Sequence, residues 1–104
     1  MYASITRVTA KPGQVDKAVT AWRTARQEYQ PVQAIQGLRH TYLLVDRPRG
    51  ELVIVGLWDT EDAARAYETS AEVERVRRGL GPFVDAAALA DRRIYEVAEV
   101  REVR

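Results

Sequence analysis

The sequence of 104 residues contains no cysteine and no asparagine, and it has a single histidine, His40. The lack of cysteine excludes disulfide bonds, a thiolate nucleophile and zinc sites built on thiolates. With one histidine, any other metal site would need clustered carboxylates, whereas the acidic residues are scattered along the chain. We therefore expect no metal ion and no other cofactor held by this chain alone.

Long apolar runs and an excess of one charge are missing as well. No apolar segment approaches the roughly 20 residues that cross a bilayer, and the N-terminus has neither a basic leader nor an uninterrupted apolar stretch. These features predict a cytoplasmic protein. The formal net charge is +1 and the basic residues are dispersed, so we expect neither nucleic acid nor a membrane as a partner.

In four segments apolar and polar residues alternate as in β-strands. In two segments between them, apolar residues recur every three or four positions, as on one face of a helix. The first helical segment begins near Val15, and Pro31 marks its end. The second is capped by Thr60, breaks near Ser70, and is interrupted again by a "GLGP" motif before residues 83–90. The predicted strands are Tyr2 to Thr9, Leu38 to Asp46, Glu51 to Trp58 and Arg92 to Ala98.

The order βαββαβ predicts one α+β domain over residues 1–104 with a ferredoxin-like fold. In this fold both helices pack on one face of a four-stranded antiparallel sheet. In the third strand, "ELVIVGLW", both alternating sets of side chains are apolar, so both faces of the strand need cover. Because the helices can cover only one face, we expect a homodimer in which a second copy covers the other.

Several features resemble the dimeric α/β-barrel superfamily, and within it the antibiotic biosynthesis monooxygenase-like domains. The first strand ends at "KPG" before an amphipathic helix, and a glycine opens the second strand. In "ELVIVGLWDTEDAARAY" a strand ends in tryptophan and a helix with small residues begins at once. The resemblance implies a dimeric α/β barrel with a pocket in each subunit, between the sheet and the helices.

The family includes cofactor-independent oxygenases of quinols and polycyclic aromatic compounds, as well as haem-degrading enzymes. For the oxygenases, the resemblance suggests an asparagine, a tryptophan and a tyrosine that bind a phenolic substrate. Trp58 can supply the tryptophan, and Tyr42, Tyr67 or Tyr95 the phenol, but the chain has no asparagine.

The haem-degrading members need an asparagine on the first strand, and a tryptophan and an iron-ligating histidine on the helix after the third strand. Here these positions fall on Thr6 or Arg7, on Tyr67 and near Arg77. None of them matches, so haem degradation is not expected.

The predicted catalytic residues are His40, Arg7 and Tyr42. Imidazole titrates near neutrality, so His40, or a tyrosine beside it, is suited to remove a phenolic proton, and Arg7 to stabilise the anion. Strand alternation places Leu38, His40 and Tyr42 on one face. The alternative for His40 is the sheet edge or the dimer contact, and for Arg7 an ion pair with a strand-end carboxylate such as Asp59.

The predicted substrate-binding residues are Trp58, Gly56, Tyr67 and Tyr95. Trp58 is predicted to form an aromatic wall of the pocket, and the alternative is an aromatic residue of the core or the interface. Gly56 leaves a hollow that a ligand or a neighbouring side chain can enter. Arg26 and the cluster "RVRR" at 75–78 are interpreted as solvated helix faces.

These residues lead to a hypothesis of a cofactor-independent monooxygenase that acts on a small phenolic or quinol-like compound. The alternative is a non-catalytic dimeric protein of the same fold that binds small molecules or serves in a stress response.

Overall fold

The computed structural model describes residues 1–29, 35–85 and 91–103. These residues form β1 (Tyr2–Thr9), α1 (Val15–Tyr29), β2 (Leu38–Asp46), β3 (Glu51–Trp58), α2 (Glu61–Tyr67), α3 (Ala71–Leu80), a short 3-10 helix (Gly81–Phe83) and β4 (Arg92–Glu96). The strands make one antiparallel sheet in the order β2-β3-β1-β4. The predicted ferredoxin-like α+β fold is confirmed. None of the described helices has the length and apolar character needed to cross a membrane.

The element boundaries follow local signals in the sequence. The side-chain oxygens of Thr60 and Ser70 each accept a hydrogen bond from the backbone N–H three residues further on, at 3.1 and 3.3 Å, and so begin α2 and α3. The second helical segment is therefore two helices. β4 ends at Glu96, two residues earlier than predicted. The predicted helix end at Pro31 and residues 86–90 lie outside the described residues.

The two faces of the sheet have different surroundings, because alternate residues of a strand point to opposite sides. The face covered by the helices carries the core, in which Val8 and Leu52 of the sheet pack with Ala18 of α1 and Leu80 of α3. The other face, called the open face below, carries the odd-numbered residues of β1 and β3, the even-numbered residues of β2 from His40 onward, and the odd-numbered residues of β4.

A bulge in β2 corrects one prediction made from strand alternation. Leu38 pairs with Trp58, but His40 pairs with the residue just before Trp58. Arg39 is therefore an extra residue in the ladder. As a result, Leu38 lies on the covered face, whereas His40 and Tyr42 lie on the open face. The expectation that these three side chains share a face is wrong, because simple alternation holds only in a strand without a bulge.

Candidate active site

A cavity of about 70 Å³ lies between the covered face of the sheet and the helices. This is where the family resemblance places a pocket. The walls are mostly apolar and aromatic, with hydroxyl groups from the strands and guanidinium groups from α1, α3 and β4. The lining residues are Ser4, Thr6, Trp22, Arg26, Leu38, Thr41, Ile54, Gly56, Trp58, Tyr67, Val73, Val76, Arg77 and Arg92.

Trp58 forms the most rigid wall of this cavity. Its side chain is 2% exposed, and its indole N–H donates a hydrogen bond to the Ser4 hydroxyl oxygen at 2.9 Å. A Cβ atom at Gly56 would lie 2.8 Å from both the Ser4 oxygen and the Trp58 indole nitrogen. The hollow left by Gly56 is thus filled by Trp58 itself, and a larger residue there would displace the indole.

Tyr67 continues the aromatic wall from the last turn of α2. Its ring centroid lies 5.3 Å from that of Trp58, with the two planes tilted by 48°. Burial raises the pKa of Tyr67 above its ordinary value, while the nearby guanidinium groups of Arg26 and Arg92 reduce that rise. Tyr67 is therefore a protonated phenol at neutral pH, with two cations beside it.

Arg92 places a buried cation at the cavity. Its side chain is 7% exposed, Nη1 donates to Glu68 Oε1 at 2.8 Å, and the guanidinium carbon lies 5.7 Å from the centroid of the Tyr67 ring. The second terminal nitrogen, Nη2, is buried and has no hydrogen-bond partner among the described residues. Since a buried donor without an acceptor costs free energy, Nη2 is suited to bind an acceptor atom of a ligand.

Arg26 supplies a second cation from α1. Its guanidinium carbon lies 5.9 Å from the centroid of the Trp22 ring, and its Nε is also buried without a hydrogen-bond partner in the described part of the chain. Arg77 is more exposed and donates to Glu74 at 3.4 Å. The prediction of a solvated helix face is therefore wrong for Arg26, whose Nε is buried at the cavity, whereas Arg77 is 35% exposed and lines the cavity as well.

The charges around the cavity favour an anion. Three arginines line it, while its described lining residues include no carboxylate. Glu68 and Glu74 each pair with one arginine, and no ion pair of Arg26 occurs among the described residues. The described residues also contain no group of three or more histidine, aspartate or glutamate side chains that could hold a metal ion.

The seven predicted site residues lie on two different faces. Three of them line the cavity: Gly56, Trp58 and Tyr67. The other four are exposed on the open face: Arg7, His40, Tyr42 and Tyr95. The structure therefore does not bring the predicted catalytic residues together with the predicted aromatic wall.

On the open face, His40 and Tyr42 stack with their ring centroids 6.4 Å apart. Arg7 Nη1 lies 3.4 Å from Glu51 Oε1, which is the kind of ion pair considered as the alternative for Arg7, although with another carboxylate. Asp59 instead pairs with Arg39.

Arg92 and Ser4 are not among the residues predicted from the sequence. Arg92 and Ile94 both lie on the covered face of β4. A charge within a predicted strand is the feature that makes Arg7 a candidate. The same signal in "RRIYE" would have pointed to Arg92. Ser4 gave no signal by itself, because its role depends on the Trp58 indole 54 positions away.

The resemblance places the positions of a haem-degrading site on Thr6, Tyr67 and Arg77. All three residues line this cavity. None of these side chains offers an imidazole or a thiolate to iron, so the residues present do not fit a haem site of that kind.

Together, the ferredoxin-like sheet and the aromatic, cationic cavity beneath it define an α+β domain with an internal cavity. The family model for antibiotic biosynthesis monooxygenase matches residues 1–79, and the chain belongs to this family. No curated protein matches the sequence.

Solved structures share the fold along nearly the whole chain. SnoaB, a cofactor-independent oxygenase from Streptomyces nogalater, has a TM-score of 0.72 at 13% identity, over 95% of this chain and 94% of that one. A candidate antibiotic biosynthesis monooxygenase from Bordetella bronchiseptica has a TM-score of 0.72 at 16% identity, over 96% and 97%. Rv0793 from Mycobacterium tuberculosis has a TM-score of 0.64 at 18% identity, over 99% and 98%.

Proposed function

We propose that the protein is a cofactor-independent monooxygenase that oxidises a small phenolic or quinol-like compound in the cavity beside Trp58. Membership of the monooxygenase family and the likeness to SnoaB support this activity. The observation that carries the substrate class is the buried Arg92 Nη2, which has no acceptor in the described part of the chain and belongs to a cavity with aromatic walls. An aromatic ring that bears an anionic oxygen satisfies both features.

The oxidation of a phenol by molecular oxygen balances without a further reductant. A phenol with a free para position and one O₂ give a para-quinone and one water. The substrate supplies the electrons and loses its phenolic proton and its para hydrogen, one oxygen atom becomes the new carbonyl, and the other leaves as water. A phenolate transfers an electron to O₂ much more readily than a phenol does, so stabilising the anion accelerates the reaction.

The cavity residues have separate roles in this scheme. Arg92 Nη2 donates to the phenolic oxygen and favours its ionised form, because an opposite charge nearby lowers the pKa of an acid. The rings of Trp58 and Tyr67 hold the substrate ring by offset packing. The enclosed walls keep bulk water from the anion, which strengthens its interaction with Arg92.

The size of the cavity limits the substrate. Its volume of about 70 Å³ is about half of the roughly 150 Å³ that is known to admit benzene in a protein interior. Binding therefore requires Arg77, the more exposed of the lining arginines, to move outward. A single ring is favoured over a polycyclic compound.

The small volume also favours a second candidate function, a dimeric protein that binds a small ligand without turnover. Both functions use the same cavity, so oxygen consumption separates them. We expect the purified protein to consume oxygen and form quinone with single-ring phenols that have a free para position, in the presence of a metal chelator and catalase. Arg92→Gln should lower the rate at least about tenfold, since a hydrogen bond to a charged group contributes about 1.5–3 kcal/mol.

Arg93→Gln is the matched control, because Arg93 is the next residue of β4 and its exposed side chain lies on the open face. Its rate should equal that of the wild type. No oxygen uptake above the buffer rate with any member of the series would contradict the monooxygenase proposal and favour the binding protein.

We also propose a homodimer through the open face. Three large apolar side chains there are about half exposed, namely Tyr42 at 49%, Leu44 at 51% and Tyr95 at 48%. Val55 of β3 and Ile5 of β1 lie in register between these edge strands, so apolar side chains extend across the open face. Exposed apolar surface of this kind marks an interaction surface, and a twofold partner would bury both copies at once. A monomer at micromolar concentration in size-exclusion chromatography with light scattering would contradict this proposal.

A further inference from the structure

We infer that the cavity selects aromatic compounds that are already anionic at neutral pH, such as aromatic carboxylates and acidic phenols, over neutral phenols of the same size. This inference deepens the proposed function and rests on it for the location of the site. It concerns binding alone, so it is testable without turnover.

The first observation is the arrangement of Arg92. Glu68 holds Nη1, which restrains the guanidinium plane and leaves Nη2 as a buried donor with no partner among residues 1–29, 35–85 and 91–103. A guanidinium group is never neutral at ordinary pH, so this nitrogen keeps its charge when it is buried. An anionic oxygen gains a charge-assisted hydrogen bond at Nη2, whereas a neutral hydroxyl gains a weaker one.

The second observation is a second cation at the same cavity. Arg26 also lines it, and its Nε is buried without a hydrogen-bond partner among the described residues. The charges of Arg26 and Arg92 both act against the burial that raises the pKa of Tyr67, so both cations lie near this phenol. A ligand oxygen beside Tyr67 is thus near two positive charges, which suits a full negative charge more than a neutral oxygen.

The third observation concerns where a proton could go. The chain has one histidine, and His40 lies exposed on the open face, separated from the cavity by the sheet. The carboxylate of Glu68 is already engaged by Arg92. A neutral phenol must lose its proton in or near the cavity before it becomes the best ligand, whereas a compound that arrives ionised does not.

The fluorescence of the two tryptophans tests this inference, because Trp22 and Trp58 are the only tryptophans and both line the cavity. Benzoate and benzamide have nearly the same shape and differ in charge. We expect benzoate to quench the fluorescence with a dissociation constant at least about tenfold lower than that of benzamide. Equal affinities, or no quenching by either compound, would overturn the inference.

A second probe separates the two sources of the anion. 4-Nitrophenol changes colour when it ionises, so its absorbance reports its own protonation state. In the presence of excess protein its ionisation should shift to lower pH, since the bound form is the anion. If benzoate binds selectively and 4-nitrophenol shows no shift, the site selects carboxylates; a nitrophenol ionisation that moves to higher pH would overturn the inference.

Variants assign the selectivity to residues. Arg92→Gln should weaken benzoate binding at least about tenfold and change benzamide binding less than about threefold, whereas Arg93→Gln should alter neither. Arg26→Gln should also reduce the preference for benzoate over benzamide. If circular dichroism shows that Arg92→Gln does not fold, Arg26→Gln tests the inference in its place. A preference for benzoate that survives both cavity substitutions would refute the assignment to these arginines.

The outcomes also distinguish this inference from the proposed function. Selective binding of benzoate without oxygen uptake on any phenol would retain the anion site and remove the monooxygenase activity. Oxygen uptake with equal affinity for charged and neutral ligands would retain the activity and remove the inference.

Discussion

Replacing Ser4 by alanine should destabilise the protein, and it should also reduce the cost of enlarging Gly56. The Ser4 hydroxyl accepts the indole N–H of Trp58 at 2.9 Å, and both residues are buried. Without that oxygen the indole nitrogen loses its one hydrogen-bond acceptor among the described residues. Leaving a buried donor unpaired costs about 1–3 kcal/mol.

Gly56→Ala should be costly for a related reason. The new methyl group would lie 2.8 Å from the Ser4 oxygen and from the Trp58 nitrogen, and overpacking of this kind costs about 1–3 kcal/mol. Independent effects would therefore sum to about 2–6 kcal/mol. They are not independent, because Ser4→Ala removes one of the two clashing atoms and either substitution breaks the same hydrogen bond. We expect the double variant to lose less than the sum by about 1 kcal/mol or more.

Thermal unfolding of the four proteins at one fixed concentration measures this coupling. In a domain of about 100 residues, 1 kcal/mol corresponds to a shift in Tm of roughly 4 °C or more, which is easily resolved. Gly79→Ala is the control for the glycine substitution, because a Cβ there would make only ordinary contacts, at 3.8 and 4.0 Å. Its effect should add to that of Ser4→Ala. Additivity within about 0.5 kcal/mol for the Ser4 and Gly56 pair would refute the reasoning.

Three further predictions concern Tyr67 and the open face. Because burial raises the pKa of Tyr67 above 10.0, the folded state holds this proton more tightly, so its stabilisation is complete below pH 10 and is lost as pH rises through the folded pKa. Tyr67→Phe should lessen that alkaline loss in unfolding experiments and remove a phenol of raised pKa from an ultraviolet titration. Leu44→Arg should shift the light-scattering mass from dimer to monomer, whereas Thr20→Arg on the exposed side of α1 should not. His40→Ala should leave oxygen uptake unchanged, and a loss of uptake with an intact dimer would restore the catalytic role predicted from the sequence.

The fold was predictable because its signals are local. Alternating apolar residues define the strands, and the capping side chains of Thr60 and Ser70 define where α2 and α3 begin. The aromatic wall was predictable for the same reason, since Trp58 and Gly56 are two residues apart on one strand and necessarily share a face.

The cationic side of the cavity was not predictable by the same reasoning. Arg26 follows Trp22 by four residues and so lies beside the apolar face of α1, but its charge favoured a solvated position, and the pattern alone does not show that its side chain lines the cavity. The side of the sheet taken by His40 depends on one extra residue, Arg39, and a bulge has no reliable signature in a strand of mixed polarity.

The bulge at Arg39 also separates two kinds of evolutionary change. Before it, Leu38 contributes to the cavity, and after it, the even-numbered residues of β2 contribute only to the open face. A substitution at His40, Tyr42 or Leu44 can therefore alter the open face and leave the lining of the cavity intact. The two surfaces are free to change independently. Only an insertion or deletion near the bulge would change both at once, because it would exchange the two faces of the strand.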